Sequence, residues 1–365
     1  MSKRPSIALI GGTFGDEPKK STIIQSMFSN IELADDIYQW KEVLYVNGGY
    51  LDELPRILEN LGPYDIILWF PNVSNDAPKM RNVKELYPHK CLVISKRNEG
   101  GKYSLRYMVN QALQLHANLC VEFTPKEKGF QGRVFDPLGN VWCDYTYNIA
   151  SVTWAILQRV QQLSIITREN VTQCGDYLKT PDAPEFFTLV KEYAKTFHTL
   201  VDPEKEVKRF LGNSSFRCNK GFPSFRSDWH SDVIFVSRRN IDKEFIDKAG
   251  FVGTTLGLDG KGTYFYGENK PSVDTPIQLR LYQYYKNINY MIHSHTYIEG
   301  APTTLTHFPC GSLQEVDEII KLIPDENVEV AFINLLGHGS LVMSKTVEDL
   351  KDIPYIRRPA PEILG

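Results

Sequence analysis

Short apolar runs alternate with helical patterns through the first 165 residues. Ser6–Ile10 is a run of strand length closed by Gly11-Gly12, Glu42–Val46 is closed by Gly48-Gly49, and Tyr64–Phe70 is nearly continuous in apolar residues. Cys91–Ser95 and Leu119–Phe123 repeat the pattern. Between them, Ser21 to about Asn30 and Leu105–His116 read as helices, and Leu51, Leu54, Ile57, Leu58 and Leu61 share one helical face. Strands without polar alternation, separated by helices, predict a parallel sheet covered on both faces. Arg133–Trp142 reads as a hairpin turning at Leu138-Gly139-Asn140, before an amphipathic helix from about Ile149 to Leu163.

The pattern then changes. Residues 166–184 are largely polar and include Thr180-Pro181-Asp182-Ala183-Pro184, which predicts a linker. Beyond it, Phe186–Leu200 reads as a helix, and Val233–Val236, Tyr264–Tyr266, Tyr290–Ile292 and Val330–Ile333 as short strands. Helices are expected over Pro276–Tyr285, Leu313–Leu322 and Thr346–Lys351. The expected architecture is α/β throughout. A Rossmann-like domain over residues 1–165, a parallel sheet with helices on both faces, precedes a second α/β domain over 185–365 with a mixed or antiparallel sheet.

Composition narrows the function classes. A chain of 365 residues accommodates about two domains. Apolar residues make up 42% and charged residues 23%, ordinary globular usage that argues against disorder. Lys and Arg number 41 against 44 Asp and Glu, so no broad basic face is implied and nucleic acid is not an expected partner. No apolar stretch approaches the length of a membrane span. The apolar run after Met1-Ser2-Lys3-Arg4-Pro5 is too short for a signal peptide. Six cysteines, Cys91, Cys120, Cys143, Cys174, Cys218 and Cys310, are scattered without a CxxC pair, which predicts reduced thiols and a cytoplasmic protein.

Chemistry concentrates in the second half. His293 and His295 stand at i and i+2 after an apolar run, so an extended strand points both imidazoles to one face and offers half a metal site. The alternative is a polar strand end facing solvent. His338 lies between Gly337 and Gly339, where the backbone can turn sharply and bring the ring close to a neighbour. Asp274 precedes Thr275-Pro276 at the start of a predicted helix, where capping is its structural role.

These segments together resemble the class II aldolase/adducin family over roughly residues 185–350. Gly212-Asn213-Ser214-Ser215-Phe216-Arg217 is similar to the family's glycine–asparagine block, and Val233–Asn240 sits where the family has a strand running into a phosphate loop. Pro271-Ser272-Val273-Asp274 resembles its PSSE block, His293-Ser294-His295 its HxH block, and Gly337-His338-Gly339 its later HG block. The resemblance implies a divalent metal, zinc in most relatives, held by His293, His295 and His338, with Asp274 handling a proton. It implies an aldolase, epimerase or dehydratase acting on a small, phosphorylated or unphosphorylated, sugar through a metal-stabilised enediolate. Asn213, Ser214, Ser237, Arg238, Arg239 and Ser272 become the expected substrate or phosphate contacts. Aspartate replaces the family's glutamate at 274, Val273 replaces a serine, and Ser237-Arg238-Arg239-Asn240 replaces a threonine–glycine turn. The competing reading these departures raise is a non-catalytic, adducin-like assembly module. The resemblance also implies a homo-oligomer, a tetramer by family habit, with Tyr355 reaching a neighbouring subunit's site as proton donor.

Gly11-Gly12-Thr13-Phe14-Gly15 follows a strand and is expected to turn into a helix, where Gly11, Gly12 and Thr13 could bring backbone amides to a nucleotide or other phosphorylated ligand. The alternative is an ordinary strand–helix turn. A third reading puts the chemistry mainly in this domain, with the histidine domain as an oligomerisation platform.

Overall fold

The computed structural model describes residues 4–73, 83–168, 171–201, 210–218, 233–257 and 262–359. The described residues divide into two compact units, 4–168 and 171–359.

The first unit is built on β1 (Ser6–Phe14), α1 (Thr22–Leu33), β2 (Glu42–Gly49), α2 (Glu53–Glu59), β3 (Ile66–Val73), β4 (Cys91–Arg97), α3 (Leu105–Gln114), β5 (Leu119–Lys126), β6 (Gly129–Phe135), β7 (Val141–Thr146) and α4 (Ile149–Arg168). Its seven strands run in the order β2-β1-β3-β4-β5-β6-β7. The first five are parallel, and β6 and β7 complete the sheet antiparallel. Strand alternation divides the apolar residues between two layers. Ile7, Leu9, Ile66, Leu68, Val93 and Val121 pack with Met27 and Ile31 of α1 and Val152, Ile156 and Val160 of α4. Ala8, Ile10, Ile67, Leu92, Ile94 and Cys120 pack with Leu54 and Leu58 of α2 and Met108 and Ala112 of α3. Two buried faces explain why these strands read as unbroken apolar runs.

The second unit holds β8 (Thr172–Gly175), α5 (Pro184–Val201), β9 (Asn213–Arg217), β10 (Ile234–Ser237), β11 (Phe251–Leu256), β12 (Thr263–Tyr266), α6 (Thr275–Tyr284), β13 (Tyr290–Ser294), β14 (Tyr297–Ile298), α7 (Gln314–Leu322), β15 (Val330–Leu335), β16 (Gly339–Ser344) and β17 (Tyr355–Ile356). Its eight-stranded sheet has the order β15-β16-β13-β9-β10-β11-β12-β8 and is antiparallel except for the edge pair β12 and β8. The stretch expected as a linker thus contributes the edge strand β8, held by main-chain bonds that polar side chains do not prevent. One face of the sheet packs against α6 and α7 through Ile234, Val236, Met291, Leu341 and Met343. The other packs against α5 through Phe216, Phe235, Phe251, Ile292 and Val342. Which face a residue occupies decides which candidate residues can meet.

Candidate metal centre

Met291 faces α6 and α7, so two-residue periodicity carries His293, at the end of β13, to the same face. His295 follows just past the strand end. His338 arrives from the turn between β15 and β16, and the three ring centroids lie 4.6, 5.1 and 5.3 Å apart. This proximity depends on glycine. A Cβ on Gly339 would run into the Ser294 carbonyl and stand 2.8 Å from the His295 Cα, and one on Gly212 would stand 2.5 Å from the His293 carbonyl. Gly337 and Gly212 also hold φ of 64° and 76°, a region L side chains rarely adopt. The Tyr297 hydroxyl accepts from Gly337 N at 3.1 Å and donates to the Leu335 carbonyl at 3.3 Å, fixing the turn that carries His338.

Each ring has a defined partner or a conspicuous lack of one. The Ser340 carbonyl lies 2.9 Å from His293 Nδ1, so the imidazole donates there and leaves Nε2 as a lone-pair donor, buried and without a hydrogen-bond partner. His295 Nδ1 is likewise buried without a partner. Burial, then the neighbouring His338, pushes His293 down to about 4, so it is neutral at pH 7. Burial and the two other imidazoles push His295 well below the ordinary value. His338 is gripped at both nitrogens, with Glu315 Oε1 3.1 Å from Nδ1 and Cys310 Sγ 3.1 Å from Nε2. Burial alone would lower its pKa, but Cys310 and Glu315 outweigh burial and hold it well above the ordinary imidazole value.

Asp274 occupies the N-cap position of α6 but makes no capping hydrogen bond with its side chain. Its carboxylate turns to the histidines: Oδ2 accepts from Asn213 Nδ2 at 2.8 Å and stands 3.8 Å from His293 Nε2, while Oδ1 is buried without a partner. Gln278 donates to Asn213 Oδ1, which fixes the amide with its NH₂ towards Asp274. Asp274, Gln278, His293, Glu315 and His338 line a cavity of about 10 Å³ whose remaining walls are apolar, room for one water or ion. Lys243 is buried beside this group and donates to the carbonyls of Leu211 and Ile241 at 3.3 and 3.4 Å. Burial pulls its ammonium down to about 8, and its charge acts on Asp274.

These observations fit a metal ion. Candidate ligand atoms of His293, His295 and His338 lie within 4.8 Å of one another, and a second set, Asp274, Cys310 and His338, meets the same limit. Buried polar atoms normally have partners. Here three candidate ligand residues each leave one bare, which an ion would satisfy.

Other expected site residues fall elsewhere. Ser214 and Ser237 lie on the α5 face by strand alternation, fully buried, and Ser237 Oγ accepts from Ser214 N at 3.1 Å. Ser272 Oγ accepts from Asp274 N at 3.4 Å. The Ser237 and Ser272 hydroxyls thus hold the backbone beside Asn213 and Asp274, while Ser214 Oγ is buried without a partner. Arg238 and Arg239 donate their backbone N–H groups to Gly250 and Lys270, Arg238 Nε is buried without a partner, and Arg239 faces outward. Tyr355 is turned into the α5 layer, its ring edge-on to Tyr193 and Phe197 at 5.0 and 4.7 Å. Its hydroxyl is buried there without a hydrogen-bond partner. In the first unit, β1 continues as strand through Gly11-Gly12-Thr13-Phe14, paired with Phe70–Val73. A Cβ on Gly11 would strike Ile24 of α1 and one on Gly12 would stand 2.6 Å from Asn47 Oδ1, so these glycines serve packing. Thr13 N donates to Lys19 O, so that amide is engaged by its own chain.

Cys310, Glu315, Gln278 and Lys243 join the group without a motif that marks them in the sequence. For Glu315 a signal existed: it stands four residues before Ile319 and shares the buried side of α7.

No protein-family model and no curated protein matches the chain. Solved structures similar to it include the N-terminal class II aldolase domain of a protein from Thermoplasma acidophilum, at 16% identity, with a TM-score of 0.31 and coverage of 46% of this chain and 88% of that one. YgbL from Klebsiella pneumoniae, assigned provisionally as an aldolase/epimerase/decarboxylase, is 12% identical with a TM-score of 0.30, covering 45% and 82%. The DNA/pantothenate metabolism flavoprotein from Streptococcus pneumoniae is 10% identical with a TM-score of 0.33, covering 44% and 99%. The chain thus has structural neighbours among class II aldolase-type domains, at low identity and over part of its length.

Proposed function

We propose that the second unit is a metal-dependent enzyme of the class II aldolase type that moves a proton at carbon in a small sugar or related hydroxycarbonyl compound. The observation that carries this reading is the unpartnered Oδ1 of Asp274 on the face that gathers the three histidines. A divalent metal held by His293, His295 and His338, zinc by the character of the donors, would supply Lewis-acid polarisation of adjacent substrate oxygens. Asn213 holds Oδ2 of Asp274, so Oδ1 is the oxygen free to take the proton from carbon and return it. Glu315, on Nδ1 of His338, orients that ring and raises its basicity as a ligand. The apolar walls of Ile277, Ile319, Leu335 and Leu341 exclude water behind these groups.

The shortened acid at 274 is the specific reason to keep a second reading, an assembly module that binds metal without turning over. Assembly into a closed homo-oligomer belongs to both readings and is tested by light scattering. Turnover across a panel of sugars and sugar phosphates, compared between the native chain and Asp274→Asn, separates them. The enzyme reading predicts activity on at least one substrate, lost in the variant. Metal without turnover on any of them supports the module.

A further inference from the structure

We propose that Cys310 is a ligand of the same metal centre, giving it a mixed nitrogen–sulfur donor set that selects zinc-like ions over magnesium, calcium or manganese. This rests on the metal-centre reading above; with Cys310 as a fourth protein ligand, substrate oxygens would enter by expansion of the coordination shell. Glu315 occupies Nδ1 of His338, which leaves Nε2 as the nitrogen for a metal, and Cys310 Sγ lies 3.1 Å from Nε2. Sulfur and nitrogen bound tetrahedrally to one zinc, at about 2.3 and 2.0 Å, stand about 3.6 Å apart. The thiol is therefore already within one coordination shell of that nitrogen. Cys310 also lies within 4.8 Å of a ligand oxygen of Asp274, a residue 8% exposed whose Oδ1 is buried and unpartnered.

The local chain is built to hold the sulfur there. Pro309–Ser312 is a tight turn closed by Ser312 N donating to the Pro309 carbonyl at 3.1 Å, with Gly311 at φ 84° in the position that requires positive φ. The turn leads into α7, so one short segment delivers Cys310 to one nitrogen of His338 and Glu315 to the other. Thiolate ligands favour zinc and its softer neighbours, whereas hard cations prefer oxygen.

Cobalt(II) substitution tests this with a signal independent of turnover. The native chain, loaded with cobalt, should show a near-ultraviolet sulfur-to-cobalt charge-transfer band together with visible ligand-field bands. Cys310→Ser should lose the first, keep the second, and bind zinc on the order of 10- to 100-fold more weakly, the scale already seen when only a ligand's outer partner is removed. Cys310→Ala, checked for native circular dichroism, should behave alike. Cobalt uptake with no charge-transfer band, or a band that persists in both variants, overturns the Cys310 assignment and leaves the histidine centre standing. No cobalt uptake by the native chain overturns the metal centre itself.

Discussion

Among the buried carboxylates, Glu122 of the first unit and Asp274 of the second are treated in opposite ways. Glu122, on β5 of the first unit, is fully buried and saturated: it accepts from Asn98 at 2.6 Å, Arg133 at 2.5 and 3.0 Å, Tyr145 at 2.8 Å and Thr124 at 3.3 Å. Arg133 in turn lies 4.3 Å over the Tyr145 ring. Asp274, in the second unit, is 8% exposed and accepts one hydrogen bond from Asn213, while its other oxygen has no partner. A buried charge that is completely paired is a structural element; one left half-paired among imidazoles is held ready for something else. Burial alone does not distinguish them, whereas the count of satisfied lone pairs does.

The contrast is sharpest in what mutation should do. Asp274→Asn removes the proposed base while keeping shape, so turnover should fall by about 10²- to 10⁴-fold with little change in unfolding midpoint. Steady-state rates beside urea melts check both halves of that expectation. Arg133→Leu leaves Glu122 charged without its cation and should cost about 3–5 kcal/mol of stability by denaturant unfolding, with the metal content of the second unit unchanged. A similar stability loss for Asp274→Asn would break the comparison.

Two smaller effects concern the imidazoles. Glu315→Gln keeps a hydrogen bond to His338 but removes the charge, and should weaken metal affinity by about 10- to 100-fold in a competitive chelator titration. His293 gives a pH signature. Its folded-state value of about 4 lies below the ordinary value for histidine, so the unfolded chain takes up the proton first as pH falls. Its contribution to stability is complete above the ordinary value and is lost on acidification down to about pH 4. His338 acts with the opposite sign, so the His293 share is read as a difference: across that window the urea midpoint should lose less, or gain more, in chelator-treated His293→Asn than in the native chain.

What the sequence revealed follows the same division. Patterns that repeat within a few residues were readable: apolar runs marked the parallel strands, and the i, i+2 spacing put His293 and His295 together. The flanking glycines correctly marked His338 as a residue in close approach, although the contacts they permit, with Ser294 and His295, join segments more than forty residues apart. The GG segment of β1 is read in a related way. Glycine signals a close approach without naming the partner, which in this fold is Ile24 and the Asn47 side chain. Ser214 and Ser237 were grouped with Asn213 by motif order, but alternation along β9 and β10 sends them to the opposite face. Cys310 gave no local cue, because its meaning depends on a ring brought to it from residue 338.

The reactions proposed for the second unit all depend on His293, His295 and His338 gathering around an ion. The decisive measurement is elemental analysis of the purified chain before and after zinc soaking and dialysis. The soaked native protein should hold about one equivalent of divalent metal per chain, and His293→Ala should lose it with the fold intact. Less than about a tenth of an equivalent in the soaked native protein would rule out the metal centre.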